Sequence, residues 1–266
     1  MSYIYDKNFF DICKKLNKKI LLKPIKKFSQ NFLFNCNSIK LFYDSLLDYR
    51  NYDFLEIGAG YGSITIPIST LAKRIIALEI DRRLLFIKKY LPKNVELVVS
   101  DGLEFVKSNR IPILVSNVPY SMTSNLIINI AKNNNILYSV LGIQKEVADR
   151  LISTPGSENY SRLSVIMQLL FSIKSVGIIS SRDYFPKPDV DSTVITLTRT
   201  KNWDDELEIL EKFTSCIFSQ KNKKANKIIK ACIENMGLRP NYDKVNLSDK
   251  RVRELTPKEI ITMIKW

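Results

Sequence analysis

Residues 53–62 read Asp53-Phe54-Leu55-Glu56-Ile57-Gly58-Ala59-Gly60-Tyr61-Gly62, a short apolar run that leads into three glycines at alternate positions. The apolar run predicts a buried strand, and a helix should begin near Ser63. A strand, a glycine turn and a helix in succession are typical of the nucleotide-binding unit of an open α/β sheet, because glycine lets the backbone approach a ligand closely. The spacing is Gly-x-Gly-x-Gly, which differs from the Gly-x-Gly-x-x-Gly of dinucleotide enzymes.

Further apolar or alternating runs predict strands downstream of this unit, and a helix is expected over residues 122–132. The strands are Arg74–Ile80, Val95–Val99, Ile111–Val115, Ile136–Ile143, Ile173–Ile179 and Thr193–Thr198. Between the last two, residues 183–192 contain two prolines and predict a rigid, hairpin-like loop at the rim of a site. The sequence therefore indicates an α/β fold, with a twisted, mostly parallel sheet, helices on both faces and an antiparallel final pair.

The strand pattern stops after residues 199–203, and the rest of the chain predicts a small all-helical domain. Its helices are expected at Glu206–Ser219, Lys223–Met236, Ser248–Leu255 and Pro257–Ile264. At the other end, residues 3–21 carry an apolar stripe at helical spacing. We therefore divide the chain into an amino-terminal helical extension (1–25), a Rossmann-like domain (26–200) and a helical carboxy-terminal domain (201–266).

The chain is strongly basic: it has 41 Lys and Arg against 27 Asp and Glu, a net charge of +14. Such an excess favours a polyanionic partner, nucleic acid first, although a basic surface kept for solubility is the alternative. Lysines are concentrated at residues 14–27, with seven lysines and no acid, and at residues 219–230, with five lysines and no acid. Each cluster fits a phosphate-contacting strip or a solvated helix face.

Two residue types limit the chemistry. The chain has no histidine, which excludes a Ser-His-Asp or Cys-His nucleophilic site and an imidazole base. No pair of the four cysteines is spaced like a zinc site, so we expect no metal, and reduced, mostly buried thiols in a cytosolic protein. No apolar run approaches the roughly 20 residues of a membrane helix, and residues 1–6 lack the features of a signal peptide.

Acidic side chains are expected close to the glycine turn. Glu79 lies at the end of the next strand, where a carboxylate can accept both hydroxyls of a ribose. Asp101 follows the strand after that, where it can accept from an adenine amine. The alternative for Glu79 is a surface acid at a strand end. Together with the glycine turn, the two acids predict a pocket for a cofactor that carries adenosine.

A second pocket is predicted at Ser116-Asn117-Val118-Pro119-Tyr120, which follows the fourth strand. The Asn117 side-chain oxygen and the Val118 carbonyl can accept the two hydrogens of an amine on a flat base. Pro119 fixes the turn, and Tyr120 can stack on the ring. Alone, the motif fits an ordinary Asn-Pro turn equally well. A nicotinamide cofactor needs no such neighbouring pocket, whereas S-adenosylmethionine beside a base does.

These motifs, in this order, resemble the ribosomal RNA adenine dimethylase family, and the resemblance covers the chain from about Lys26 to Trp266. It rests on Ser29-Gln30-Asn31-Phe32-Leu33, Leu55–Gly62, Leu78-Glu79-Ile80-Asp81, Ser100-Asp101, Asn117-Val118-Pro119-Tyr120, Gln144–Ala148, Tyr160–Val165, Phe185-Pro186-Lys187-Pro188-Asp189-Val190-Asp191-Ser192 and Phe218–Lys224. The chain departs from the family pattern at Ser29 and Ser100, where glycine is usual, and at Ser121-Met122-Thr123.

The resemblance implies a Rossmann-like, S-adenosylmethionine-dependent methyltransferase that places two methyl groups on N6 of each of two adjacent adenosines near the 3′ end of small-subunit ribosomal RNA. The implied catalytic residues are Asn117, Val118, Pro119 and Tyr120. The implied cofactor-binding residues, of which the first two would close over the cofactor, are Asn31, Leu33, Gly58, Gly60, Glu79, Asp101 and Asn117. The implied partner is the precursor of the small ribosomal subunit, which a cytoplasmic monomer would bind through its helical domain.

Three other functions stay open. A non-catalytic rRNA-binding assembly or transcription factor would keep the fold, but the intact Asn117–Tyr120 motif and Glu79 argue against lost activity. An erythromycin-resistance type of methyltransferase would act on large-subunit RNA, whereas the basic Phe218–Lys224 segment favours the small-subunit type. A nicotinamide-dependent oxidoreductase would leave Asn117–Tyr120 and Gln30–Leu33 unexplained.

Overall fold

The computed structural model describes residues 9–14, 22–25, 28–237, 247 and 249–264. The chain divides into two compact units, Met1–Ala148 with Lys174–Thr198, and Asp149–Ile173 with Arg199–Trp266. The second unit thus includes residues 149–173, which the sequence analysis assigned to the Rossmann-like domain. Of the helix predicted over residues 3–21, residues 9–14 are described and are helical, and the rest lies outside the described residues.

Nine strands are described along the chain. They are β1 (Phe32–Leu33), β2 (Asp53–Ile57), β3 (Arg74–Glu79), β4 (Val95–Val99), β5 (Ile113–Asn117), β6 (Tyr138–Gln144), β7 (Phe171–Ile179), β8 (Tyr184–Phe185) and β9 (Ser192–Arg199). Seven of them form one sheet in the order β4-β3-β2-β5-β6-β9-β7, and β1 pairs with β8 in a separate two-stranded sheet. Strand β5 begins and ends two residues later than predicted, so that Asn117 is its last residue.

The central strands of the sheet run parallel. Parallel pairing joins β4 to β3, β3 to β2, β2 to β5 and β5 to β6, whereas β6 pairs with β9 in the antiparallel direction. This arrangement confirms the predicted α/β sheet. The strand order reverses between β2 and β5, and such a reversal leaves a crevice at the carboxyl ends of the strands, where ligands bind in open α/β sheets.

Besides the helical residues 9–14, nine α-helices are described. They are α1 (Cys36–Ser45), α2 (Thr65–Ile68), α3 (Gly102–Ser108), α4 (Thr123–Lys132), α5 (Lys145–Ile152), α6 (Arg162–Leu170), α7 (Asp205–Phe218), α8 (Ala225–Met236) and α9 (Pro257–Ile264). The helix after the glycine turn, α2, has only four residues. A 3₁₀ helix that was not predicted spans Arg82–Tyr90, and the Asp81 side chain caps its start.

Helix α1 anchors the segment that precedes it. Asn35 caps the helix by accepting from the backbone N–H groups of residues 37 and 38. Ile39 and Phe42 are fully buried and belong to the same hydrophobic core as Phe54 of β2 and Val140 of β6. Burying each large apolar side chain contributes about 1.5–3 kcal/mol. Because β1 lies just ahead of this helix, the core holds β1 in place.

All four cysteines are paired, which corrects the expectation of reduced thiols. Cys13 is bonded to Cys36 and Cys216 to Cys232, with Cα–Cα distances of 5.8 and 6.0 Å. The first bond joins the helical residues 9–14 to α1, and the second joins α7 to α8. Because the partners are 23 and 16 residues apart, their pairing depends on how the helices pack and could not be deduced from cysteine spacing.

The second unit is helical, with α6 to α9 around a core that includes Leu210 and Phe213. The helix predicted over Ser248–Leu255 is wrong. In its place the described residues contain one 3₁₀ turn, Val252–Glu254. The backbone of Asp249 is left-handed, with φ 59°, and residue 251 forms an isolated β-bridge with Lys224. Both features are incompatible with a continuous α-helix.

Candidate active site

A cavity of about 120 Å³ opens in the first unit, at the carboxyl ends of the parallel strands. All ten residues predicted for the site line it: Asn31, Leu33, Gly58, Gly60, Glu79, Asp101, Asn117, Val118, Pro119 and Tyr120. The two pockets that the sequence predicts are therefore parts of one cavity. Among the described residues, no cluster of Cys, Asp and Glu side chains is placed to hold a metal ion.

The glycine turn supplies a bare stretch of backbone on one wall. Gly58, Gly60 and Gly62 have φ angles of 78°, 55° and 79°, a left-handed conformation that strains any residue with a side chain. A Cβ on Gly60 would approach the Phe32 ring to 3.2 Å, whereas the space around Gly58 is open. A ligand can therefore lie directly against the backbone at Gly58.

Glu79, the last residue of β3, is 6% exposed. Its Oε2 accepts from the Gly60 N–H and its Oε1 from the Asp81 N–H, both at 2.9 Å. Burial raises the pKa of Glu79, and these two backbone N–H groups oppose the rise. The carboxylate thus fastens the glycine turn to the end of β3 while lining the cavity. Its contact with a ribose stays a prediction.

Asp81 holds the segment that covers the cavity, a role that the sequence analysis missed. Its carboxylate accepts from the Gln30 side chain at 2.8 Å and from the Arg83 guanidinium at 2.7 Å. The hydrogen bonds from Arg83 lower the pKa of Asp81 to about 2. Gln30 also accepts from the Ile25 N–H at 2.8 Å. The residues just before Asn31 are therefore tied to the end of β3.

Asp101 lies at the cavity edge as the N-cap of α3. Its Oδ1 accepts from the Leu103 N–H at 2.8 Å, and the side chain is exposed. The next residue, Gly102, packs so closely that an added Cβ would overlap Ile57 Cγ2. The close contact between Gly102 and β2 holds Asp101 beside the glycine turn.

Asn117 is held at both ends of its side-chain amide. Its Oδ1 accepts from the Tyr184 hydroxyl at 3.1 Å, and its Nδ2 donates to the Asn31 carbonyl at 3.3 Å. The chain then turns at Val118, whose N–H donates to the Gly142 carbonyl at 2.9 Å. Tyr184 and Gly142 both contact the Asn117–Tyr120 motif, although the sequence predicted a role for neither.

Tyr120 reaches the far side of the same turn. Its hydroxyl lies 2.9 Å from the Ser192 Oγ, and its ring lines the cavity. Ser192 is fully buried at the start of β9. It ends the loop that was predicted over residues 183–192 at the rim of the site. From this loop, Tyr184 lines the cavity.

Two departures from the family pattern contact each other. Ser29 has φ 48°, a left-handed conformation in which glycine carries no steric cost. Its Oγ donates to the Ser121 Oγ at 3.0 Å, so a hydrogen bond joins the two residues across the cavity mouth.

Glu56 is a further carboxyl group at the cavity, one residue before the end of β2. It is 2% exposed, and among the described residues its Oε2 has no hydrogen-bond partner. Burial raises the pKa of Glu56 to about 8, and repulsion from the Glu79 carboxylate adds to the rise. At neutral pH Glu56 is therefore mostly protonated and uncharged.

Replacing Glu56 with glutamine is expected to make stability less dependent on pH. Between the ordinary pKa of 4.5 and about 8, only the folded wild type holds this proton, so rising pH lowers its free energy of unfolding. Glutamine does not titrate. Between about pH 5 and pH 8, the free energy of unfolding of the variant should therefore rise relative to that of the wild type by on the order of 3 kcal/mol. Urea unfolding of both proteins across this pH range measures the two free energies. If their difference is the same at every pH, the prediction is wrong.

The comparisons with known proteins agree on the family. The model of the ribosomal RNA adenine dimethylase family matches residues 22–266. The probable ribosomal RNA small subunit methyltransferase A of Pyrobaculum islandicum is 34% identical over 241 residues, which cover 90% of this chain and 94% of that protein. No described helix is both long and apolar enough to cross a membrane.

Two solved structures share the fold. A dimethyladenosine transferase from Plasmodium falciparum has a TM-score of 0.73 at 23% identity, over 87% of this chain and 95% of that chain. The 23S rRNA methyltransferase ErmE has a TM-score of 0.63 at 23% identity, over 88% of this chain and 99% of that chain. At these identities the likeness shows the fold alone.

The sheet, the glycine turn and the cavity define a Rossmann-like methyltransferase. The chain belongs to the ribosomal RNA adenine dimethylase family, and the protein is an rRNA adenine dimethyltransferase that uses S-adenosyl-L-methionine. The residues present fit this cofactor, because open backbone at Gly58 lies in one cavity with the carboxylates of Glu79 and Asp101. These carboxylates can accept hydrogen bonds from hydroxyl and amino groups.

Proposed function

We propose that the protein dimethylates N6 of each of two adjacent adenosines near the 3′ end of small-subunit rRNA, within a precursor of the small ribosomal subunit. One observation carries the proposal: the Asn117–Tyr120 turn and the glycine turn line the same cavity. A base amine bound at Asn117 would therefore lie beside a cofactor bound at Gly58. The name of the Pyrobaculum islandicum relative supports the small subunit as the substrate.

The chain's own groups account for the chemistry. The bound cofactor supplies a methyl group on a positively charged sulfur. Asn117 Oδ1 and the Val118 carbonyl accept the two amine hydrogens, which localises the nitrogen lone pair that is otherwise delocalised into the ring. Tyr120 stacks on the base after it has left its helix or loop. The reaction needs no imidazole base, because positioning provides most of the acceleration and the proton leaves to water after transfer.

Incubation of undermethylated small subunits with the protein and labelled cofactor tests this proposal. Mass spectrometry of the RNA should show dimethyladenosine at two adjacent positions near the 3′ end. Label in large-subunit RNA would favour an activity like that in the name of ErmE, whose fold this chain shares. Normal RNA binding with no methyl transfer would favour the assembly-factor function.

The RNA-contacting surface is proposed to include the second lysine cluster, at residues 219–230. Two of its lysines have protein partners: Lys221 donates to the Glu158 carbonyl at 2.7 Å, and Lys224 pairs with Asp249 at 3.0 Å. The other three lysines are exposed to solvent: Lys223, Lys227 and Lys230. These three are therefore the better candidates for phosphate contacts. Much of the first cluster, residues 14–27, lies outside the described residues.

Replacing Lys223, Lys227 and Lys230 with alanine is expected to flatten the salt dependence of RNA binding. Each lost phosphate contact reduces the slope of log affinity against log salt by roughly 0.7–0.9, so the triple variant should lose about 2. The control removes three exposed lysines of the first unit, at positions 73, 88 and 93, and changes the net charge equally. Equal slopes for the two variants would make the cluster an ordinary solvated face.

We also propose that the protein acts as a monomer in the cytoplasm, where small subunits mature. Cytosolic thiols are kept reduced, whereas the structure pairs all four cysteines as disulfides, so the state of the cysteines in the cell tests this location. Alkylation of cells quenched in acid, followed by peptide mass spectrometry, tests the point. Four alkylated cysteines support the cytoplasm, and two intact disulfides would place the protein in an oxidising compartment.

A further inference from the structure

We propose that Tyr184 is a positioning residue for methyl transfer, because its hydroxyl fixes the Asn117 amide with the oxygen available to the target amine. The inference rests on the proposed function of Asn117 as an acceptor. It adds two residues to the site: Tyr184, which lies in β8, and Ser192, which is the first residue of β9. Neither residue needs to touch the reacting atoms.

The hydrogen bonds at Asn117 select one orientation of its amide. The Tyr184 hydroxyl donates to Oδ1 at 3.1 Å, and Nδ2 donates to the Asn31 carbonyl at 3.3 Å. The opposite orientation would place the amide oxygen against the Asn31 carbonyl oxygen, two acceptors in contact. An amide oxygen has two lone pairs. Tyr184 takes one of them, and the other is left for an amine hydrogen.

Tyr184 is suited to act as a donor throughout the physiological pH range. Its side chain is 3% exposed, and burial raises the pKa of its hydroxyl, with a smaller opposing effect from Ser192. The phenol therefore keeps its proton. Ser192 lies 2.9 Å from the Tyr120 hydroxyl as well. Tyr184 and Ser192 thus contact Asn117 and Tyr120 respectively, the two ends of the Asn117–Tyr120 motif.

The backbone around Tyr184 makes its position rigid. Strand β8 pairs with β1, with Tyr184 opposite Leu33, so one two-stranded ribbon brings both Tyr184 and the Asn31 carbonyl to the amide. On another side, a Cβ on Gly142 would lie 3.0 Å from Asn117 Oδ1. Because Gly142 has no side chain, the Asn117 amide fits beside it. The amide is enclosed by parts of the chain that are far apart in sequence.

The first test is Tyr184→Phe, which removes the hydroxyl and keeps the ring. At saturating cofactor and RNA, kcat should fall roughly ten- to a hundred-fold, because a small misplacement of a reacting group has effects of this size. KM for both substrates should change by less than about two-fold. The control is Tyr138→Phe, which removes another buried hydroxyl, one that donates to the Ser45 carbonyl at 2.9 Å. The control should lose comparable thermal stability and keep its kcat.

A double-mutant cycle shows whether Tyr184 acts through Asn117. In an Asn117→Ala background, Tyr184→Phe should have no further effect on kcat, because the amide it positions is gone. If the two losses multiply instead, Tyr184 acts independently and the inference is overturned. A Tyr184→Phe variant as active as Tyr138→Phe would overturn it too.

A readout that needs no activity separates this inference from the proposed function. The side-chain amide of Asn117 is observed by NMR in protein labelled with ¹⁵N-asparagine, and its signal is assigned by its loss in Asn117→Ala. Tyr184→Phe should shift this signal and speed its hydrogen exchange, whereas Tyr138→Phe should not. An unchanged signal overturns the inference. A changed signal in a protein that transfers no methyl group would support the positioning and contradict the proposed function.

Discussion

Asn117→Ala is expected to lower the rate of methyl transfer by about a hundred- to a thousand-fold, the usual effect of losing one preorganised polar contact to a reacting group. RNA binding should survive, because phosphate contacts elsewhere provide most of the affinity. The substitution also removes the partner of the Tyr184 hydroxyl, so we expect a stability loss of about 1–3 kcal/mol from a buried polar group left unpaired.

A matched control separates the two effects of Asn117→Ala. Asn94 donates from its side chain to the carbonyls of Ser69 and Ala72, at 2.8 and 3.1 Å, and does not line the cavity. Asn94→Ala should therefore lose comparable stability and keep its rate. Methyl transfer to undermethylated small subunits, measured beside RNA binding, gives the comparison. Full activity in Asn117→Ala would remove the Asn117–Tyr120 turn from the chemistry.

Glu79→Ala is expected to weaken binding of S-adenosyl-L-methionine by roughly 1–3 kcal/mol, because hydroxyl partners of the ligand are left without an acceptor. The structure adds a second reason, since the carboxylate also holds the Gly60 N–H at 2.9 Å. Glu79→Gln keeps one acceptor oxygen and should show a smaller loss. Isothermal titration calorimetry measures both variants.

The control for Glu79 is a carboxylate outside the cavity. Glu104 lies on α3, is exposed and pairs with Lys107 at 2.7 Å, so Glu104→Ala should bind the cofactor as the wild type does. If Glu79→Ala also binds with unchanged affinity, Glu79 does not contact the cofactor, whatever it does for the glycine turn. Calorimetry on the folded variants distinguishes these results.

The sequence was sufficient for the sheet because its signals are local. The glycine turn, the apolar strands and the acids after them follow one another within residues 53–101, and the edge where parallel strands end brings them together. The Asn117–Tyr120 motif was predictable for the same reason. The strand limits shifted by up to two residues at β5, which moved Asn117 into the strand.

The features that were missed depend on distant pairings. Strands β1 and β8 have two residues each, too few to show any alternation, so their pairing and the Tyr184 contact had no sequence signal. The disulfides arise in the same way, from helices that meet only after folding. The helix predicted over Ser248–Leu255 failed because apolar spacing in eight residues does not reveal a left-handed backbone at Asp249.

The contact between Tyr184 of β8 and Asn117 of β5 has a consequence for synthesis on the ribosome. The strands that carry Gly58, Glu79 and Asn117 are translated before Tyr184, which lies 67 residues after Asn117. A nascent chain therefore contains the cofactor wall of the cavity, and Asn117 itself, before it contains the hydroxyl proposed to fix the Asn117 amide. Long-range strand pairing is also slow to form. The acceptor of the target amine is thus expected to become fixed in one orientation only after synthesis has passed β8.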